Sequence, residues 1–270
     1  MKLKHFSPRT PSLRNLVRLN NTELQKKPLL KTKIKGLRNS TGKSGGTKLT
    51  SYHKGGGHKK GYRKINFVRT EIRTSIVTSI EYDPYRSANI ASIYNINTKT
   101  FDYILAPKNL TVGDIVKSGD NADSKNGHSL PISKIPIGSL IHNVSPKTDK
   151  QAQIARSAGT YAQLIEKTSS YGRIKLRSGE QRTLSLKCFA TMGIVSNELS
   201  FLTTLGKAGR SRWLNKRPHV RGVAMNPIDH PHGGGEGKTS GGRTAVTPWG
   251  KPSKGGKTSR SINKLIIKKS

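Results

Sequence analysis

Every second residue from Ile72 to Tyr82 is β-branched or aromatic, namely Ile72, Thr74, Ile76, Thr78, Ile80 and Tyr82, with mostly polar side chains between them. A period of two puts alternate side chains on one face, so the stretch predicts a half-buried strand carrying those six on one side. Phe101, Tyr103 and Leu105 repeat the pattern after the turn-forming stretch Asn95 to Lys99, and Val112-Gly113-Asp114 makes a break before Ile115 and Val116. A second set of runs follows Ala158-Gly159, over Tyr161 to Glu166, Arg173 to Arg177, Arg182 to Cys188 and Met192 to Ser196. Ser178-Gly179 lies between two of these and predicts a hairpin turn, with Arg173, Lys175 and Arg177 on the outward face. The Pro-rich stretch Leu130 to Pro146 reads as the connection between the two groups, which gives an all-β fold of two small barrels side by side. Helix signals are scarce, the best being a turn or two near Glu198 to Leu205.

Charge extends this picture beyond the barrels. The chain of 270 residues has 50 Lys and Arg against 14 Asp and Glu, a net charge of +36. Residues 1–64 hold 18 basic and 1 acidic residue, residues 65–200 hold 17 and 11, and residues 201–270 hold 15 and 2. The nearly balanced middle is the globular part, divided as 65–135 and 136–200. The flanks, 1–64 and a Gly/Pro-rich 201–270, are basic extensions. Self-repulsion of this size calls for a polyanion in the working state, nucleic acid above all, and argues against a free-standing metabolic enzyme. Hydrophobic residues make up 31% and aromatics 6%, too few to bury a core along the whole length. The single cysteine, Cys188, excludes an intramolecular disulfide and a multi-cysteine zinc cluster, which fits a reducing compartment. No apolar run approaches the ~20 residues of a membrane span, so no membrane partner is expected. Met1 to Asn20, basic and without acids, has the composition of a mitochondrial transit peptide; the expectation is instead a retained RNA-binding extension.

Two motifs carry chemistry, and two others only look as if they do. Lys54-Gly55-Gly56-Gly57-His58-Lys59-Lys60 combines glycines, whose backbone amides can approach a phosphate, with cations that neutralise it; the bland alternative is a linker. Tyr52 and Tyr62 flank it and are candidates for stacking on unpaired bases. Gly42-Lys43-Ser44 and Gly237-Lys238-Thr239 are not P-loops, because Leu37 and His232 stand where that motif requires glycine. The densest constellation runs from Arg221 through Met225, Asn226, Asp229, His230 and His232 to Lys238. His230 and His232 with Asp229 or Glu236 suggest a metal site, and His230 alone a general base. The favoured reading is a rigid loop whose prolines fix its path, whose glycines admit close packing against RNA and whose histidines donate hydrogen bonds. Trp213, amid Lys207, Arg210, Arg212, Lys216, Arg217 and Arg221, is a core anchor or a stacking surface, core being the commoner fate of a tryptophan. Trp249 has little apolar company and is the better stacking candidate. The tail from Ser253, with Lys254, Lys257 and Arg260, is expected to order only against a polyanion.

The run Gly222-Val223-Ala224-Met225-Asn226-Pro227-Ile228-Asp229-His230-Pro231-His232-Gly233-Gly234-Gly235-Glu236-Gly237 resembles the universal ribosomal protein L2 family of the large subunit. Gly55 to Lys59 with Tyr62 to Ile65, Glu81 to Ala88, Tyr103 to Lys108, Ile141 to Val144 and Ala155 to Thr160 follow in that family's order, so the likeness covers residues 28–270. It implies an OB-fold barrel followed by an SH3-like barrel, with both basic extensions threaded into large-subunit ribosomal RNA. It also implies neighbouring large-subunit proteins and the small subunit as partners, without a homo-oligomer. Asn226, Asp229, His230 and His232 would lie near the peptidyl-transferase region, as structural aids to chemistry done by RNA. No cofactor of the protein itself is expected, only Mg2+ associated with the bound RNA.

With that resemblance the candidate RNA-binding residues fall in three groups. The first is Tyr52, His53, Lys54, Gly55, Gly56, Gly57, His58, Lys59, Tyr62 and Arg63; the second is Arg86 and Arg156. The third is Lys207, Arg210, Arg212, Trp213, Arg217, Arg221, Met225, Asn226, His230, His232, Lys238, Arg243, Trp249, Lys257 and Arg260. Tyr85, Asn89, Asn66 and Tyr52 depart from the family's usual residues, which touches individual contacts. Residues Gly237 to Arg243 resemble α-proteobacterial and mitochondrial members, and 32 Lys, 18 Arg and 16 Asn suggest an AT-rich genome. The expected location is the mitochondrial matrix ribosome, with bacterial cytoplasm or plastid as alternatives. Two other classes share the charge: a sequence-tolerant DNA-packaging protein and a metal- or histidine-dependent ribonuclease.

Overall fold

The strand of the Ile72 to Tyr82 period is β5 (Arg73–Glu81), and it organises the first barrel with β6 (Ile90–Asn95), β7 (Thr100–Leu105) and β8 (Ile115–Ser118). β5 pairs antiparallel with β6 on one side and β8 on the other. The second barrel contains β9 (Ser129–Pro131), β10 (Leu140–His142), β11 (Ala162–Lys167), β12 (Tyr171–Leu176), β13 (Gln181–Ser185) and β14 (Phe189–Met192). These are joined to the first set through the parallel pair Ser118↔Ser129 and the Pro107↔Val195 bridge. Two short antiparallel pairs precede them, β1 (Leu3–His5) with β2 (Val17–Leu19) and β3 (Ile34–Leu37) with β4 (Lys60–Arg63). Near the other end β15 (Ile266–Lys268) adds to the edge of β13. A six-residue helix, α1 (Ala208–Trp213), follows the barrels.

This computed structural model describes residues 3–37, 40–45, 47–148, 150–237, 239, 242–255, 263 and 265–268. The chain forms two compact units: one holds Met1–Arg38, Lys59–Arg210 and Lys264–Ser270, the other Asn39–His58 and Ser211–Asn263. The all-β expectation holds in the first unit, an OB-fold barrel followed by an SH3-like barrel. Val77, Ile93, Ile104 and Val116 fill one core, and Leu130, Ile141, Leu164, Ile174 and Leu184 another. Each fully buried aliphatic side chain contributes about 1.5–3 kcal/mol over its exposed state. The hairpin expected at Ser178-Gly179 joins β12 to β13, with Gly179 at φ 95°.

Several expectations need correction. The period of β5 is right but its phase is not: Ile72 is 62% exposed, while Val77 and Glu81 are each 1% exposed and Ser75 and Ser79 are buried beside them. The inward face is a polar network, so hydrophobicity does not mark it. Ile90–Asn95 gives no alternation because nearly all its side chains are buried, as happens for a strand flanked by β5 and β7. Leu130 to Pro146 is not a connection. Leu130, Ile132, Ile135, Ile141 and Val144 belong to the second core, so this barrel begins before residue 136. The strand expected over Met192 to Ser196 ends at Met192, because Gly193 turns at φ 101° where an added Cβ would meet Asn126 Oδ1. Glu198–Leu202 is a 3-10 turn as expected, while α1 was not anticipated. Residues 3–37 are not an extended arm, since Leu16 is buried and the β1–β2 hairpin joins Thr204 through Val17.

Two buried polar groups set the interior's electrostatics. Glu81 accepts hydrogen bonds from Leu29 N–H at 3.0 Å, the Tyr103 hydroxyl at 2.9 Å and the Ser79 hydroxyl at 3.1 Å. Tyr103 oxygen in turn accepts from Leu30 N–H at 3.0 Å, and burial pushes its pKa up to about 12. This network fastens residues 29–30 to β5 and β7. In the second barrel His142 donates from Nδ1 to the Gly193 carbonyl at 2.9 Å, and its Nε2 has no partner among the described residues. Burial pushes its pKa down to about 4, with the Arg69 charge adding to the effect. Arg69 is itself buried and lowered to about 10, its Nη1 donating to Gly127 O at 3.0 Å. Between pH 6.5 and 4 the unfolded chain protonates His142 and the folded chain resists, so stability falls as pH falls through that window. We expect the drop from pH 6.5 to 5 to be smaller by about 1.5 kcal/mol in His142→Gln than in the wild type, as read from urea denaturation of the full chain.

Candidate nucleic-acid interface

In the first unit a cleft of about 620 Å3 opens between residues 62–87 and 153–160. Its walls are aromatic and cationic. The β3–β4 pairing sets Tyr62 opposite Lys35, and the Tyr62 and Tyr85 rings meet edge to face at 5.3 Å. Asp83, fully buried, makes the turn that presents the next residues: Oδ1 accepts from Tyr85 N–H at 2.8 Å and Oδ2 from Arg86 Nε at 2.6 Å. The Arg86 guanidinium carbon then lies 5.8 Å from the Tyr62 ring centre and 5.9 Å from that of Phe67. From the opposite wall, Arg156 stands 4.6 Å over Phe67. Ala155 takes φ 53°, outside the usual range of an L-residue, and its carbonyl accepts from Asn143 N–H at 3.0 Å. Cations held on aromatic faces keep an orientation they would lose in water, and the same rings offer surfaces for unpaired bases.

The second unit contains the two glycine-rich loops. Gly55 N–H donates to Asn215 O at 3.2 Å, Gly57 N–H to Asn215 Oδ1 at 3.2 Å and His58 N–H to Trp213 O at 3.1 Å. These amides are therefore committed within the protein, which corrects their expected role as phosphate ligands. The glycines serve close packing instead: a Cβ on Gly57 would lie 2.6 Å from the Asn215 Cβ and 2.7 Å from its backbone. Tyr52, His53, Lys54, His58 and Lys59 are exposed along this loop. Trp213 is 53% exposed, not a core anchor, and Trp249 is exposed as well.

The histidine loop closes on itself. The Asn226 carbonyl accepts from the N–H groups of Asp229 and His230, and Gly234 N–H donates to Met225 O at 3.1 Å. His230, expected to face RNA, is instead 7% exposed. Its ring fills the space a side chain at Gly222 would occupy, within 2.5 Å of that absent Cβ, and its Nδ1 accepts from His232 N–H at 3.0 Å. A neutral ring so bonded carries its proton on Nε2. His230 thus holds the loop's shape rather than its surface. Among the described residues no three His, Cys, Asp or Glu side chains are placed to hold a metal ion. Ile228, at the loop's tip, is 93% exposed, with Asn226 and Asp229 exposed beside it.

Lys207, Arg217, Arg221 and Arg243 are exposed, while Arg63 is buried, Nη1 donating to Gly61 O at 2.9 Å, and is withdrawn from the candidate surface. Arg210 is half-buried, with Nη1 donating to Ser12 O at 3.1 Å; Arg212 and Met225 are also half-buried. Lys238, Lys257 and Arg260 lie outside the described residues. The cleft residues Phe67, Tyr85, Ser157 and Thr160 were not among the candidates from sequence.

Barrels of these two types, with cations seated on aromatic rings in a chain of charge +36, define a nucleic-acid-binding β-barrel protein. The family description "Ribosomal Proteins L2, RNA binding N-terminal domain" matches residues 30–118, and "Ribosomal Proteins L2, C-terminal domain" matches residues 125–250. Proteins named large ribosomal subunit protein uL2 from Rickettsia peacockii (strain Rustic), Rickettsia prowazekii (strain Madrid E) and Rickettsia akari (strain Hartford) are 56%, 55% and 54% identical to it. Each alignment runs over 272 residues, 100% of this chain and 99% of the relative. The chain belongs to the ribosomal protein L2 family.

If the cleft stacks an unpaired base, Tyr85→Ala should weaken binding of a structured RNA with unpaired nucleotides by about 1–3 kcal/mol. Tyr171→Ala, which removes an exposed ring of the other barrel, should leave it unchanged in the same filter-binding series.

Proposed function

We propose that this chain is a structural protein of the large ribosomal subunit that binds ribosomal RNA and acts in translation without catalysing a reaction. The observation that carries the reading is the cleft in which Arg86 and Arg156 lie on the faces of Tyr62 and Phe67, a surface suited to phosphate and base together. The full-length likeness to proteins named for the large subunit supports it. In this reading the cations neutralise phosphates, and Mg2+ ions sit with the RNA rather than on the protein.

The finer roles belong to the same proposal. The loop around Asn226, Asp229, His230 and His232 supports the peptidyl-transferase region by its shape, which the internal bonds of His230 help to hold. Neighbouring large-subunit proteins and the small subunit are the further partners, without a homo-oligomer. The ribosome is the site of action in each of the compartments considered. The rickettsial relatives favour the bacterial cytoplasm, and the Lys- and Asn-rich composition fits a mitochondrial matrix.

Because each phosphate contact releases counter-ions, the logarithm of affinity should fall linearly with the logarithm of salt concentration, at about −0.9 per contact on duplex and −0.7 on single strands. Arg156→Ala should make that slope shallower by about one contact. At matched salt the chain should prefer ribosomal RNA over duplex DNA, and it should cleave neither with or without Mg2+. Equal affinity for both would favour a DNA-packaging role.

A further inference from the structure

The larger cleft of the first unit has the opposite character to the cationic one. It encloses about 790 Å3 beside β5, where β8 has ended and residues 23–25 run alongside. Its walls come from residues 23–25, 78–80, 89, 106–112 and 196–199. The whole chain has 50 Lys and Arg in 270 residues, so a wall of this size would ordinarily hold about three. It holds one, Lys108, whose ammonium is paired with Glu198 at 2.8 Å. Glu23 lies on the wall, exposed, and makes no ion pair among the described residues. The apolar lining comes from Leu24, Ile80, Pro107, Leu110, Val112 and Leu199, with Val112 61% exposed.

Such a surface suits RNA poorly. A phosphate there would meet the Glu23 carboxylate, with no unpaired cation from the wall to offset it, and the wall has no aromatic ring on which a base could stack. It suits a protein segment: an apolar side chain can enter beside Leu110 and Val112 while a Lys or Arg reaches Glu23. We infer that this cleft is a protein-docking site, occupied in the assembled particle by an extended basic segment of a neighbouring large-subunit protein. The inference rests on the ribosomal reading above and adds a surface to it.

The test replaces Val112 with photoreactive benzoylphenylalanine in the full chain, assembles it in cells, and first asks by sedimentation whether the chain is in the large subunit. Absence from the particle would overturn the ribosomal reading itself, and the docking site with it. With the chain present, irradiation followed by ribonuclease should leave one adduct to a protein, whose joined peptide carries a Lys or Arg close to an apolar residue. Adding Glu23→Lys should reduce that adduct about fivefold, the scale expected when an exposed ion pair is reversed. The same probe at Tyr85 should join to RNA, which verifies the photochemistry. If the Val112 probe joins only to RNA, or joins to nothing in particles where the Tyr85 probe reacts, the cleft is not a protein-docking site. An adduct undiminished by Glu23→Lys would overturn the charge pairing on which the basic partner is argued.

Discussion

Self-repulsion is the constraint on which everything else in this chain depends. With 14 acids against 50 cations, few carboxylates are available to hold the fold, and 11 of them lie within residues 65–200. Several stand at junctions. Asp102 pairs with Lys33 at 3.0 Å and lies 3.9 Å from Arg73, linking the residues before β3 to β5 and β7. Glu81 holds Leu29 N–H, and the Tyr103 phenol beside it holds Leu30 N–H. Exposed pairs in such a set contribute about 0–1 kcal/mol each, so the buried members, Glu81 and Asp83, matter most.

The same economy shapes the interface. Asp83 both makes the turn at Tyr85 and fixes Arg86, so one buried carboxylate sets an aromatic ring and a guanidinium in the cleft together. Removing Arg86 would leave Asp83 buried without its cation, whereas Arg156, held over Phe67, is more nearly independent. In the second unit, backbone hydrogen bonds and glycines do the equivalent work. Asn215 receives the glycine run, and the His230 ring takes the place of a side chain at Gly222. Loops stiffened in this way have less conformational freedom to lose when a partner binds.

The legible parts of the fold were those in which one strand face is apolar or a turn needs glycine, such as the period of β5 and the Ser178-Gly179 hairpin. The phase of β5 was not legible, because apart from Val77 its inward face is Ser75, Ser79 and Glu81, polar side chains buried by hydrogen bonds within β5 and to the neighbouring strand β6. Leu130 to Pro146 read as a connection because its prolines masked five core residues. Arg86 and Arg156 follow from family resemblance, and of their aromatic company only Tyr62 is a candidate from sequence, since Phe67 and Tyr85 join it only when β4 and the turn after β5 are placed together. At residues 55–57 the close approach is made within the protein, Gly57 against Asn215, Gly55 against the Arg217 side chain and Gly56 against that of Arg212. His230 was prominent as a motif residue, and only its burial shows that its ring faces inward.

A structural RNA-binding protein of the large subunit must sediment with it, so a lysate of the source cells should be run on a sucrose gradient, with and without ribonuclease, and probed for this chain. Migration with the large subunit and the monosome, collapsing to the top of the gradient after ribonuclease, is the expected result. Migration with DNA, or as a free protein indifferent to ribonuclease, would contradict it.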